Sequence, residues 1–174
     1  MNKDKDLTID ELFKLAVKNH QEDKLDVAQD LYNKVIKVNP KKISAHNNLG
    51  LIFQKLSDYS KAKYYFEKTI EINSNYSNGY FNLGNIYKIL AEPQKAISFY
   101  EKAIEIDPAH INTLNNLGLI FAELGESQKA IKYHEKIITI DPNHTDAHLS
   151  LGLNFFNLGD NQKAKYYYEK AIEI

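Results

Sequence analysis

The amino-acid sequence predicts an all-α protein built from five copies of a two-helix unit. Two sets of small residues recur every 34 positions and mark the copies: Gly50, Gly84, Gly118 and Gly152 in the first half of the unit, and Ala28, Ala62, Ala96, Ala130 and Ala164 in the second. Such a repeat must be interpreted before any other pattern, because each unit buries its apolar face against its neighbours. The length of 174 residues therefore counts repeats rather than domains.

The repeat register divides the chain into a short N-terminus and one repeat domain. Residues 1–8 precede the first helix start signal, and we expect them to be flexible. The domain covers 9–174 in five repeats, 9–42, 43–76, 77–110, 111–144 and 145–174. Prolines at 40, 108 and 142 close the first, third and fourth repeats, because proline cannot continue a helix.

Local signals place individual helices within this register. Thr8 followed by Glu11 predicts a capping box at the start of a helix that runs to about residue 21, and its partner covers about 25–38. The second repeat places helices near 44–56 and 60–72, and the last helix covers about 162–174. Pro93 stands at the entry of a second helix, where its missing amide hydrogen is harmless.

The glycines predict two kinds of backbone feature. A glycine in the middle of a helix costs about 1 kcal/mol relative to alanine. Its recurrence at Gly50 and the three equivalent positions therefore predicts that the paired helix crosses closely there. Gly125 and Gly159 fall in the bends between paired helices, which predicts a left-handed backbone after a helix end.

Each copy resembles the tetratricopeptide repeat, whose pattern has a large residue, Leu-Gly, an aromatic, a small residue, another aromatic, a second small residue and a proline. The third copy supplies these residues as Tyr80, Leu83, Gly84, Tyr87, Ala96, Tyr100, Ala103 and Pro108. The resemblance covers residues 9–174 and implies a right-handed superhelical solenoid of five antiparallel helix pairs. It also implies that the first helices line a concave groove that binds protein or peptide partners.

Asparagines recur at the positions that, by this resemblance, point into the groove. They are Asn47, Asn48, Asn78, Asn82, Asn85, Asn112, Asn115 and Asn116. The column of Asn48, Asn82 and Asn116 resembles the asparagine ladder in the repeat domain of O-linked N-acetylglucosamine transferase. A carboxamide offers a donor and an acceptor, which suits the backbone of an extended peptide. Drift in AT-rich coding DNA is the competing explanation for so many asparagines.

Composition excludes several other classes of function. The net charge is −1 and the chain has no arginine, which disfavours nucleic-acid binding and two-point grips on phosphate. It has no cysteine and no apolar run of the ~20 residues that cross a bilayer, so we expect a soluble, cytoplasmic protein that does not bind membranes.

The histidines and aromatic pairs give weak signals for chemistry. His144 and His148 have the spacing of metal ligands on a helix, but His148 occupies a packing position, and His134 replaces an aromatic of a second helix. The pair Tyr64 and Tyr65 resembles a base-stacking platform, yet the aromatic at the latter position recurs, which favours packing. Phosphate-binding loops and nucleophile motifs are absent from the sequence. We therefore predict no catalytic residues, no metal and no cofactor.

The leading hypothesis is a non-catalytic scaffold that binds an extended peptide or partner segment in the concave groove. The alternative is the substrate-presenting or dimerising arm of a larger enzyme, such as a glycosyltransferase. The last helix has an apolar side with no polar capping helix after it, near Ala164, Tyr168, Ala171 and Ile172. Repeat arrays normally need such a cap, so we expect either self-association through this helix or a longer array.

Overall fold

A computed structural model describes residues 7–174, which form ten α-helices and no strand. The helices are α1 (Ile9–Gln21), α2 (Leu25–Val38), α3 (Ile43–Lys55), α4 (Tyr59–Ile72), α5 (Ser77–Ile89), α6 (Pro93–Ile106), α7 (Ile111–Glu123), α8 (Ser127–Ile140), α9 (Thr145–Asn157) and α10 (Asn161–Glu173). The predicted bounds agree with these within one residue, because caps and prolines are local signals. The predicted class, all-α with five helix pairs, is confirmed.

The chain divides into two compact units, one ending at Ile86 and the other beginning at Tyr87. The boundary falls inside α5. In the first unit, α1 packs against α2 and α3 against α4. In the second unit, α7 packs against α8 and α9 against α10, and α8 also packs against α9.

Each unit has its own apolar core, drawn from the faces that the 34-residue register predicts. In the first unit, Tyr32, Leu49 and Phe66 are fully buried. In the second unit, Leu114 and Ile137 pack with Ala147, and a neighbouring cluster contains Ile131, Leu151, Phe155 and Ala164. Core residues thus come from both helices of a pair, which holds the first helices in fixed positions.

Side chains at the helix starts satisfy amides that the helices leave unpaired. The predicted capping box is present: Thr8 Oγ1 accepts from the Glu11 amide, and the Glu11 carboxylate accepts from the Thr8 amide at 2.8 Å. Two histidines cap later helices, a role that was not predicted from the sequence. His110 Nδ1 accepts from the Thr113 amide, and His144 Nδ1 accepts from the Ala147 amide at 3.2 Å.

At Gly50, Gly118 and Gly152 the paired helix crosses closely, as predicted, and an aromatic ring lies at the point of contact. A Cβ atom at Gly118 would lie 2.5 Å from His134 Cε1, and one at Gly152 would lie 2.6 Å from Tyr168 Cδ1. At Gly50 the ring in contact is that of Phe66. Real Cβ contacts are longer than this, so close helix packing compensates for the low helix propensity of glycine.

The bends between paired helices have a left-handed residue in every repeat. Gly125 and Gly159 have φ values of 76° and 79°, which confirms the prediction for these two glycines. The equivalent positions in the first three repeats hold residues that were not predicted to be left-handed: Asp23 at 61°, Ser57 at 59° and Ala91 at 55°. These three carry a steric cost that glycine avoids.

Exchanging alanine and glycine at two equivalent bends should change stability in opposite directions. Ala91→Gly should raise the free energy of unfolding by about 1 kcal/mol, and Gly125→Ala should lower it by about 1 kcal/mol. Nothing lies within 4 Å of the Cβ position at Gly125, so the cost there comes from the backbone alone. Urea unfolding of both variants measures the effect, and a loss of stability in Ala91→Gly would contradict it.

Candidate peptide-binding surface

The predicted asparagines lie on the first helices of repeats two to four and differ widely in exposure. Asn78 lies in the first turn of α5 and Asn112 in the first turn of α7, and both are exposed. Asn82 is buried, with 6% of its surface accessible. Five others are half-buried: Asn47, Asn48, Asn85, Asn115 and Asn116.

In the first unit, three asparagines form one hydrogen-bonded cluster. Asn48 Nδ2 donates to Tyr32 Oη at 2.9 Å, which ties α3 to α2. Asn82 Nδ2 donates to Asn47 Oδ1 at 2.9 Å, which ties α5 to α3. Asn47 Nδ2 lies 3.4 Å from Asn48 Oδ1 and completes the chain of contacts. The structure therefore brings together Asn47, Asn48 and Asn82.

The second unit repeats the first of these contacts. Asn116 Nδ2 donates to Tyr100 Oη at 3.1 Å, joining α7 to α6. The spacing of sixteen residues matches that between Tyr32 and Asn48. Asn112 and Asn115 lie on the same helix, in its first and second turns.

The two tyrosines explain why an asparagine is needed there. Burial raises the pKa of Tyr32 and of Tyr100, and the hydrogen bonds from Asn48 and Asn116 act in the opposite direction. A buried phenol without a partner costs stability. Two members of the predicted asparagine column therefore have a structural role in addition to any role in binding, which the sequence alone did not show.

Asn78 and Asn85 lie on α5, near the surface of the first unit. The Asn78 side chain hydrogen-bonds Tyr76, whose pKa burial raises and this bond lowers. Asn85 is half-buried in the third turn of α5.

An apolar surface on α9 was not predicted from the sequence. Leu149, Leu153 and Phe156 are 44%, 52% and 59% exposed, and their spacing places them on one face of the helix. In the 34-residue register, Leu149 and Leu153 correspond to Asn115 and Leu119 of α7. Extending the groove positions to the fifth repeat would have revealed this set, which we call the α9 apolar stripe.

Aromatic rings of the second helices stack on phenylalanines of the first helices. Phe53 lies on Tyr65 with ring centroids 5.5 Å apart, and Phe121 lies on Tyr133 at 5.6 Å. A lysine covers each pair: Lys61 Nζ and Lys129 Nζ are 5.0 Å from the Phe53 and Phe121 centroids. One face of the Tyr65 ring is therefore occupied, which supports the packing interpretation.

The histidines also have structural roles. His148 is buried, and its Nε2 lies 2.8 Å from the Pro142 carbonyl, whereas His144 caps α9. His134 is fully buried, as predicted. In residues 7–174, no group of three or more histidine, cysteine, aspartate or glutamate side chains is placed to hold a metal ion.

Hydropathy gives no sign of a membrane span. None of the helices in the described part of the chain combines the length and the apolar character needed to cross a bilayer.

Solved structures similar to this chain are helical repeat proteins. A crystal structure of MamA shares 28% sequence identity, covers 91% of this chain and 92% of its own, and superposes with a TM-score of 0.81. YrrB, described as a tetratricopeptide repeat protein with an unusual peptide-binding site, shares 22% identity over 93% of this chain and 84% of its own, with a TM-score of 0.74. PilF of Pseudomonas aeruginosa shares 19% identity over 95% and 75%, with a TM-score of 0.83.

Sequence comparison gives the family. No curated protein matches the chain. The model of the tetratricopeptide repeat, in contrast, matches residues 42–109 and 110–174, which together are most of the sequence. The structure agrees with this match, since it has five helix pairs with glycines under aromatic rings, and the solved structures above have the same fold. The chain therefore belongs to the tetratricopeptide repeat family.

Proposed function

We propose that the protein is a non-catalytic scaffold that binds a peptide segment on the exposed surface of its first helices. The observation that carries this proposal is the α9 apolar stripe. Monomeric proteins rarely expose adjacent large apolar side chains, and such patches mark interaction sites. YrrB, a neighbour in fold, is described as having a peptide-binding site.

The asparagines of α7 supply the polar part of this proposed surface in the second unit. Asn112 is exposed and Asn115 is half-buried, and they lie one repeat before Asp146 and Leu149 in the register. A peptide on this surface would contact carboxamides on α7 and apolar side chains on α9. The carboxamides match a peptide backbone, and the apolar stripe would receive one or two large side chains.

Two asparagines of the column, Asn48 and Asn116, have both a structural and a binding role in this proposal. A carboxamide that donates through Nδ2 has an oxygen that accepts as well, and a carbonyl oxygen has two acceptor positions. Asn48 and Asn116 would therefore hold a buried tyrosine and receive a peptide N–H with the same side chain. The further resemblance to the asparagine ladder of O-linked N-acetylglucosamine transferase stays a prediction.

Selection from a phage-displayed library of random 12-residue peptides tests this proposal. The triple variant Leu149→Ser, Leu153→Ser, Phe156→Ser should weaken binding of the selected peptides at least about tenfold, because the apolar area they bury is lost. The control is Tyr166→Ser, which also removes an exposed large side chain, 53% accessible, but from a second helix. Circular dichroism checks that all variants keep their helix content.

Salt dependence provides a second readout. The proposed contacts are uncharged, so the affinity should change less than about threefold between 50 and 500 mM salt. Selected peptides that bind the triple variant as tightly as the native chain, or that are released by moderate salt, would refute the α9 apolar stripe as the site.

A further inference from the structure

A small pocket lies in the second unit, at the bend between α5 and α6. Its volume is about 280 Å³, and six residues line it: Lys88, Ala91, Pro93, Ile120, Glu123 and Leu124. Four of these residues are apolar, and Ile120 has only 2% of its surface accessible. Small-molecule sites usually measure about 300–1,000 Å³. We call this site the bend pocket, and its volume suits a ligand of few atoms.

The repeat register shows that the charges of the bend pocket are not a general feature of the array. One repeat earlier, the equivalent positions hold Gln54, Ser57, Tyr59, Ile86, Ile89 and Leu90. One repeat later, they hold Ala122, Gly125, Ser127, Asn154, Asn157 and Leu158. Neither set contains a charged residue, whereas the leucine is common to all three. Packing between repeats therefore does not require Lys88 or Glu123.

The two charged side chains of the bend pocket have no counter-ion. Within residues 7–174, neither Lys88 nor Glu123 takes part in an ion pair. In contrast, Lys95 and Lys129 each pair with a glutamate three residues earlier, at 2.5 Å. Lys88 is half-buried, so its ammonium loses part of its hydration without compensation. A carboxylate bound in the pocket would supply that compensation.

We infer that the bend pocket binds a free α-amino acid with a large apolar side chain. Such a molecule carries a carboxylate and an ammonium next to its side chain, so one small ligand supplies a partner for both Lys88 and Glu123. The ligand side chain would bury apolar area against Ile120 and Pro93. Its carboxylate would accept from Lys88 Nζ, and its ammonium would donate to the Glu123 carboxylate.

The opposite charges distinguish a free amino acid from other small ligands. A residue inside a peptide carries neither main-chain charge, and a C-terminal residue carries only the carboxylate, which Glu123 would repel. A phosphate ester would bring nearly two negative charges to a single lysine. The bend pocket contains no residue of the α9 apolar stripe and none of the predicted asparagines, so this inference goes beyond the proposed function and is tested separately from it.

Titration of the full chain with L-leucine, followed in amide NMR spectra, tests the inference. We expect saturable shifts of the signals of Ala91, Ile120 and Glu123, and the same response to L-methionine and L-phenylalanine. Glycine should bind at least about tenfold more weakly, because it has no side chain to bury. L-leucinamide and N-acetyl-L-leucine each lack one charge and should also bind at least about tenfold more weakly.

Substitutions copied from other repeats assign each charge. Lys88→Gln, the residue of the second repeat, should remove the preference for L-leucine over L-leucinamide, because the carboxylate then has no cation to meet. Glu123→Asn, the residue of the fifth repeat, should remove the preference over N-acetyl-L-leucine. Lys132→Gln is the matched control, since this exposed lysine lies outside the pocket, and it should change neither preference. Circular dichroism checks the helix content of all three variants.

Three results would overturn the inference. The first is the lack of a saturable shift up to about 10 mM L-leucine. The second is equal binding of L-leucine and N-acetyl-L-leucine to the native chain, which would instead assign the bend pocket to a peptide C-terminus. The third is a pair of preferences that Lys88→Gln and Glu123→Asn leave unchanged, which would place the bound amino acid elsewhere on the chain.

Discussion

Gly118→Leu should destabilise the second unit by about 3 kcal/mol or more, because it forces a large side chain into a close helix crossing. A Cβ atom at this position would lie 2.5 Å from both Cε1 and Nε2 of His134, and that ring is fully buried. The leucine has no open space in which to rotate, so α7 and α8 must separate. Urea unfolding monitored by circular dichroism measures the loss.

Asn112→Leu is the matched control for this substitution. It adds the same side chain to the same helix at an exposed position, and its effect should stay within about 0.5 kcal/mol. Asn116 is unsuitable as a control, because its carboxamide donates to Tyr100. The double substitution Gly118→Leu, His134→Ala should recover part of the loss, since the missing ring makes room. Equal stability of Gly118→Leu and Asn112→Leu would disprove the close crossing.

The second large effect is a loss of stability in mild acid that depends on His134. Burial, with a smaller contribution from repulsion by His144, lowers the pKa of His134 to about 4. The unfolded chain binds a proton near the ordinary histidine pKa of about 6.5, before the folded protein does. The contribution of neutral His134 to the free energy of unfolding is therefore fully present above pH 6.5. It decreases as the pH falls from 6.5 to 4 and does not change further below pH 4. The total loss is about 3 kcal/mol.

Packing around the His134 ring explains why it resists protonation. His134 Nδ1 lies 3.5 Å from Asn154 Nδ2, and its Nε2 has no hydrogen-bond partner among residues 7–174. Protonation would leave a charged Nε2 without a partner, and the backbone hydrogen bond with Ala130, which raises the pKa, offsets the effect of burial only in part. Asn154 stands where α3, α5 and α7 have a buried isoleucine, so two polar residues replace two apolar ones at neighbouring positions.

His134→Phe isolates this effect, since the second repeat has phenylalanine in the same position. Unfolding free energies of both proteins are measured from pH 7.5 to 4, and carboxylates contribute equally to the two profiles. The native chain should lose about 3 kcal/mol more than the variant over this range. Profiles that run parallel would show that another group causes the acid sensitivity.

Only tertiary structure decided the roles of the asparagines and the extent of the candidate surface. The column on the first helices was visible in the repeat register, but nothing local shows that Asn48 reaches Tyr32 across sixteen residues. The exposure of Phe156 likewise depends on which helices cover α9 and which do not. Hydrogen bonds between helices and burial depend on residues far apart in sequence, so one sequence without its fold does not specify them.

By itself, the sequence determined the helix pairs and most of their ends. The repeated glycines, the capping box at Thr8 and the prolines act through backbone geometry within a few residues, and such signals can be read one position at a time. The left-handed bends show which backbone features such local signals do not predict. Gly125 and Gly159 were predicted because glycine favours that conformation, whereas Ala91 adopts it at the equivalent position of the third repeat against the preference of its own side chain.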